Sequence, residues 1–114
     1  MEQLGRLLLE KDFYGELLPR RQREAVELRW EGDLSLGEVA EALGISRPAV
    51  ADLLRRAERT LESYEEALGL VRRRQQDEAD LRQLWALCQG VPGEIGTAIA
   101  VVVRRLAERG GTDL

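Results

Sequence analysis

Apolar residues along the chain recur at intervals of three and four, the spacing of a single helix face. From residue 3 to 18, Leu4, Leu7, Leu8, Tyr14, Leu17 and Leu18 mark a short amphipathic helix, or two turns broken near Gly15. A second helix is expected over residues 20–31, begun at Pro19, with Ala25, Val26, Leu28 and Trp30 as its apolar faces. Gly32 and Asp33 end it, and Leu34 serves as a hydrophobic staple into the next element.

The most informative pattern is SLGEVAEALGISRPAVADLLRRAER, residues 35–59. Ser35 and Glu38 form a capping box that starts a helix. Val39, Ala40 and Leu43 are its buried stripe, and Gly44 ends it because only a residue tolerant of positive φ fits cheaply there. Ile45 plugs the corner. Ser46 caps the following helix, and Pro48 falls in its first turn, where a missing N–H costs nothing. Val50, Leu53 and Ala57 face back onto the first helix. Small Ala40 lets two crossing helices approach and Gly44 makes the sharp turn, so the segment reads as a helix-turn-helix.

From Ser46 the helical pattern runs unbroken to Leu68, with Gly69 as its stop, giving about 33 Å of helix. Its apolar positions, Val50, Leu53, Leu54, Ala57, Leu61, Tyr64 and Leu68, make a heptad-like seam longer than the preceding small helix can cover. An intramolecular cover and a second subunit both satisfy it, and a homodimer is expected from this seam and from the faces around Trp85 and Ile99. After Gly69 the run RRRQQDEAD (72–80) is either a linker or the exposed first turns of a helix. Leu81, Leu84, Trp85 and Cys88 then share one face, GVPG (90–93) breaks the chain, and Ile95, Ile99, Val102, Val103 and Leu106 mark a final helix. The β-branched IAVVV cluster also suits a strand, but no second strand is visible to pair with it. The tail GGTDL is expected to fray. The expected fold is therefore all-α: a helix-turn-helix with a long second helix in residues 1–71, and a helical extension in residues 72–114.

Composition narrows the function. The 114 residues carry 17 basic and 21 acidic groups and no His, for a net charge of −4. Such a balance does not suit a sequence-independent nucleic-acid binder, which is normally basic overall. Any anionic partner must meet a local patch. Lone Cys88 excludes an internal disulfide and a cysteine-based metal site, and without His no zinc site or other cofactor is expected. With no glycine-rich phosphate loop, and with Ser35 and Ser46 explained as caps, catalysis is not expected either. No signal peptide or membrane-length apolar run is present, so a cytoplasmic location is expected.

Two basic clusters are candidates for nucleic-acid contact. The second helix of such a motif enters the major groove by its N-terminal half, where Arg47 could address a guanine edge or a phosphate. Arg55, Arg56 and Arg59 continue it as a strip suited to phosphates. Arg20, Arg21 and Arg23, with Gln22, form the second cluster. The alternative is that these arginines only solvate a surface and pair with Asp52, Glu58 and Glu62. Arg72, Arg73 and Arg74 form the densest basic run, again either an RNA contact or a solvated face.

The stretches DFYGELL (12–18), QRE (22–24), DLSLGEVAEALGISR (33–47) and ESYEEALGL (62–70) resemble the YlxM family of small bacterial helix-turn-helix proteins. The helix-turn-helix alone is also similar to region four of bacterial sigma factors. The family resemblance implies a regulatory or accessory role in the signal recognition particle pathway, with the targeting GTPase, its RNA, or both as partners. On that reading the acidic helix end, Glu62 to Leu70, is a docking feature. The competing expectation is a transcriptional regulator that binds duplex DNA as a dimer. A purely structural adaptor is the third.

Overall fold

The computed structural model of the chain describes residues 2–114. Six helices follow one another: α1 (Glu2–Tyr14), α2 (Arg20–Val26), α3 (Leu36–Leu43), α4 (Arg47–Leu68), α5 (Leu70–Gln89) and α6 (Gly93–Gly110). No strand occurs among the described residues. The β-branched cluster before Arg104 is helical: with no partner strand, helix is the way its backbone N–H and C=O groups pair. The chain divides into two compact units, Met1–Val71 and Arg72–Leu114.

In the first unit α4 packs against α1, α2 and α3. Its inward row is Val50, Leu54, Ala57 and Leu61, all buried. Against that row lie Tyr14 and Leu18 of the N-terminal segment, Ala25 and Val26 of α2, and Val39 and Ala40 of α3. Full burial of each large aliphatic side chain contributes roughly 1.5–3 kcal/mol.

The first helix breaks where Gly15 predicts, passing into a 3₁₀ turn over Gly15–Leu17. Its buried row differs from the expected one. Leu7, Glu10, Tyr14 and Leu18 are buried, whereas Leu4 and Leu17 are exposed. The second helix spans the expected residues, but its last turn, Glu27–Glu31, opens into a π-helical turn closed by Gly32 N–H on the Glu27 carbonyl. A Cβ on Gly32 would meet the Leu28 carbonyl oxygen at 2.7 Å, and Asp33 follows with φ 54°, so the chain leaves the helix by a corner that needs these residue types. The Arg29 guanidinium pins that corner by donating to the Leu34 carbonyl at 3.0 Å.

In the second unit the RRRQQDEAD run is helical, not a linker, since α5 begins at Leu70 directly after Gly69. Leu81 and Trp85 are half-buried and Cys88 is buried, but Leu84 is exposed and leaves the expected face. The guanidinium of Arg104 stacks 5.0 Å from the Trp85 ring, a cation–π contact between α5 and α6. The tail does not fray at once. Gly111 takes φ 73°, its N–H and that of Thr112 bond back to the Glu108 and Ala107 carbonyls, and Thr112 is buried. This is a Schellman closure, which satisfies the last carbonyls of α6.

Candidate nucleic-acid interface

The helix-turn-helix is built by local signals that act within one turn. Ser35 Oγ accepts from the Glu38 N–H at 3.1 Å while the Glu38 carboxylate accepts from the Ser35 N–H at 2.9 Å. Hydrogen bonding from the Ser35 backbone N–H first, and from the Ser35 side chain second, holds the Glu38 carboxyl below its ordinary range. Gly44 takes φ 67°, and the Gly44 and Ile45 N–H groups return to the Glu41 and Ala40 carbonyls. Ser46 Oγ then accepts from Ala49 N–H at 3.2 Å, with Pro48 in the first turn of α4. Val39, Ala40 and Val50 form the buried contact between the two helices; Leu43, Ile45 and Leu53 are half-buried around it, and Gly44 is exposed at the turn. Leu54 is more deeply buried than Leu53.

The candidate arginines do not form one strip. Arg47 is exposed at the start of α4, and its guanidinium folds back over α3: a Cβ on Gly37 would lie 2.8 Å from Arg47 Nη2. Arg59 lies twelve positions on, about 18 Å along the helix. Between them Asp52 pairs with two of the candidates, its carboxylate oxygens lying 2.9 Å from Arg56 Nε and 3.9 Å from Arg55 Nη2. Arg20 is held by Glu24 at 2.9 Å. Arg23 is half-buried in a depression of about 510 Å³ that it lines with Lys11, Asp12, Glu16 and Glu27. Glu58 and Glu62, weighed as further partners, make no ion pair with these arginines among the described residues.

The two clusters do meet at one point. Thr60 Oγ1 donates to Gln22 Oε1 at 3.1 Å, joining the first turn of α2 to the last basic turn of α4. Arg21 and Arg59, the neighbours of these two residues, are both exposed and form no ion pair among the described residues. Each stands one position before a member of that hydrogen-bonded pair.

The acidic helix end has an internal task. Glu65 Oε1 accepts from Tyr14 Oη at 2.6 Å and from Val71 N–H at 3.0 Å, and the Tyr14 oxygen accepts from Leu70 N–H at 3.0 Å. Gly69, at φ 64°, is the single residue between α4 and α5, so the first N–H groups of α5 are capped by tertiary partners rather than by a preceding Ser or Asp. Tyr64 adds a bond from its hydroxyl to the Leu17 carbonyl at 3.1 Å. Glu10 lies beside this node, 2% exposed, with Oε1 unpaired and Arg6 Nε 4.0 Å from Oε2. Burial pushes its carboxyl above the ordinary range; Arg6 opposes this, and Glu65 and Glu62 reinforce it. Sequence pattern could have flagged Glu10, since it falls on the Leu7–Tyr14–Leu18 stripe.

Among the described residues no helix is long and apolar enough to cross a membrane, and no group of acidic or cysteine side chains could hold a metal ion. Residues 1–87 match the family described as "helix-turn-helix protein, YlxM / p13 like". Relatives carrying the name UPF0122 protein include one from Desulforamulus reducens, 44% identical over 90 residues that span 79% of this chain and 77% of that one. Another, from Listeria innocua, is 45% identical over 85 residues, 75% and 77% of the two chains. A third, from Thermoanaerobacter sp. strain X514, is 55% identical over 65 residues, 57% of this chain and 56% of its own.

Proposed function

The chain belongs to the YlxM / p13-like family of helix-turn-helix proteins, and from that premise we propose a non-catalytic accessory or regulatory role in the signal recognition particle pathway. The proposed contact is with the particle's RNA, made by the corner where α2 meets α4. The observation that supports this reading is the Gln22–Thr60 hydrogen bond, which joins two elements distant in sequence at the positions that follow exposed Arg21 and Arg59.

Charge decides what kind of contact this is. Asp52 offsets one of the two positive charges of Arg55 and Arg56 in the middle of α4, and the chain is net negative, so an autonomous grip on long duplex DNA has little electrostatic support. Two cations at a corner match a local phosphate cluster better than a groove-long track. Protein docking on the targeting GTPase would add to this contact. Glu65 is committed internally, so exposed Glu62 and Glu66 are the acids of that segment left facing outward.

Fluorescence anisotropy with signal recognition particle RNA and with random duplex DNA tests the proposal. Preference for the RNA supports it. Equal binding to both, or preference for duplex DNA, transfers the function to a DNA-binding regulator, and binding to neither removes the nucleic-acid contact.

A further inference from the structure

The last helix hides its small side chains and shows its large ones. Gly96, Val103 and Ala107 are buried, with half-buried Ala100 completing the row toward α5. One position earlier in each case, Ile95, Ile99, Val102 and Leu106 are exposed, Ile95 by 70%. A helix left to choose would bury the bulkier row, because apolar area removed from water is what stabilises the packing. It is prevented from turning. A Cβ on Gly96 would overlap the Val91 carbonyl oxygen, so only glycine fits against the GVPG corner and this face of α6 is held inward. The exposed row is thus fixed outward by backbone packing.

We propose that this row is the seat of a second copy of the chain, packed α6 on α6 in antiparallel order. The spacing of the row is four, three, four, that of a helix–helix seam. About the point midway between Ile99 and Val102, a two-fold axis lays Ile95 on the partner's Leu106 and Ile99 on the partner's Val102. Glu94 and Arg105 lie eleven positions apart, close to three whole turns, so both flank the row on the same side. The same two-fold axis sets Glu94 beside the partner's Arg105, and the pair occurs twice, as an isologous interface requires. Parallel packing would instead carry the two charged flanks to opposite sides of the seam, where neither pair forms.

Sedimentation equilibrium of the full chain tests this, with circular dichroism as the control for helicity. The wild-type chain sediments with the mass of two copies, and Ile99→Lys with the mass of one at unchanged helicity. Arg105→Glu, at an exposed position, weakens the dimer by roughly tenfold or more through two like-charge contacts, and adding Glu94→Arg restores it. A wild-type mass of one chain overturns the proposal. So does a dimer that neither Ile99→Lys nor Arg105→Glu weakens, since its interface must then lie elsewhere.

Discussion

The Tyr14 hydroxyl donates to Glu65 Oε1 at 2.6 Å across fifty-one positions of sequence. Between them the two side chains receive the first two N–H groups of α5, from Leu70 and Val71. A helix normally finds such acceptors in its own N-cap residue, but here Gly69 occupies that place and offers none. The acidic stretch that distinguishes this sequence from an ordinary helix-turn-helix is therefore, at Glu65, part of the joint between α4 and α5.

Tyr14→Phe removes one donor and one acceptor from this node while keeping the buried ring. It should destabilise the chain by about 1–2 kcal/mol, because the Glu65 carboxylate and the Leu70 N–H each lose a partner. Urea denaturation measures the loss, and amide exchange at Leu70 and Val71 should quicken by more than at Val50. Equal exchange at all three would place the loss elsewhere.

Glu10 is a carboxyl whose folded-state pKa is raised, by burial first. The folded chain thus holds its proton more tightly than the unfolded chain. Stability is full below the unfolded value and falls as pH rises from there through the folded one. Glu10→Gln cannot ionise, so it should melt a few degrees higher than wild type at pH 8, with the difference shrinking on acidification toward the ordinary carboxylate range. A difference independent of pH would mean that the charge of Glu10 is not the destabilising element.

Much of the first unit was legible because its signals act within a turn. Ser35 with Glu38, Gly44, Ser46 with Pro48, and Gly69 each fix a helix end through neighbours three to six positions away. Gly111 carries the same signature as Gly44, and the tail's closure could have been read from it. What periodicity could not supply is the identity of the inward face. In α1 the three-and-four spacing fitted exposed Leu4 and Leu17 as well as buried Leu7 and Leu18. In α6 two parallel rows were available, and the close approach of Gly96 to Val91 decided between them. The arginines illustrate the same limit: sequence offers Asp52, Glu58 and Glu62 alike as their partners, and the folded geometry brings Asp52 to Arg55 and Arg56 and joins Thr60 to Gln22.

Asp52→Asn should release Arg55 and Arg56 and remove a negative charge from the face that meets phosphates. Stability should change by less than about 1 kcal/mol, since these are exposed helix pairs. Affinity for RNA should rise on the order of threefold at low salt and converge with wild type as salt is added. Unchanged affinity across the series would mean that α4 does not face the nucleic acid.

The measurement that bears most directly on the proposed interface is the salt dependence of affinity for signal recognition particle RNA, compared between wild type and Arg21→Ala/Arg59→Ala. Each arginine that neutralises a phosphate contributes about one unit to the slope of log affinity against log salt concentration. The account predicts that the double variant binds more weakly at low salt, with a slope shallower by about two units and an unaltered fold. A variant with the affinity and slope of wild type would contradict it, and would place any RNA contact away from the corner where α2 meets α4.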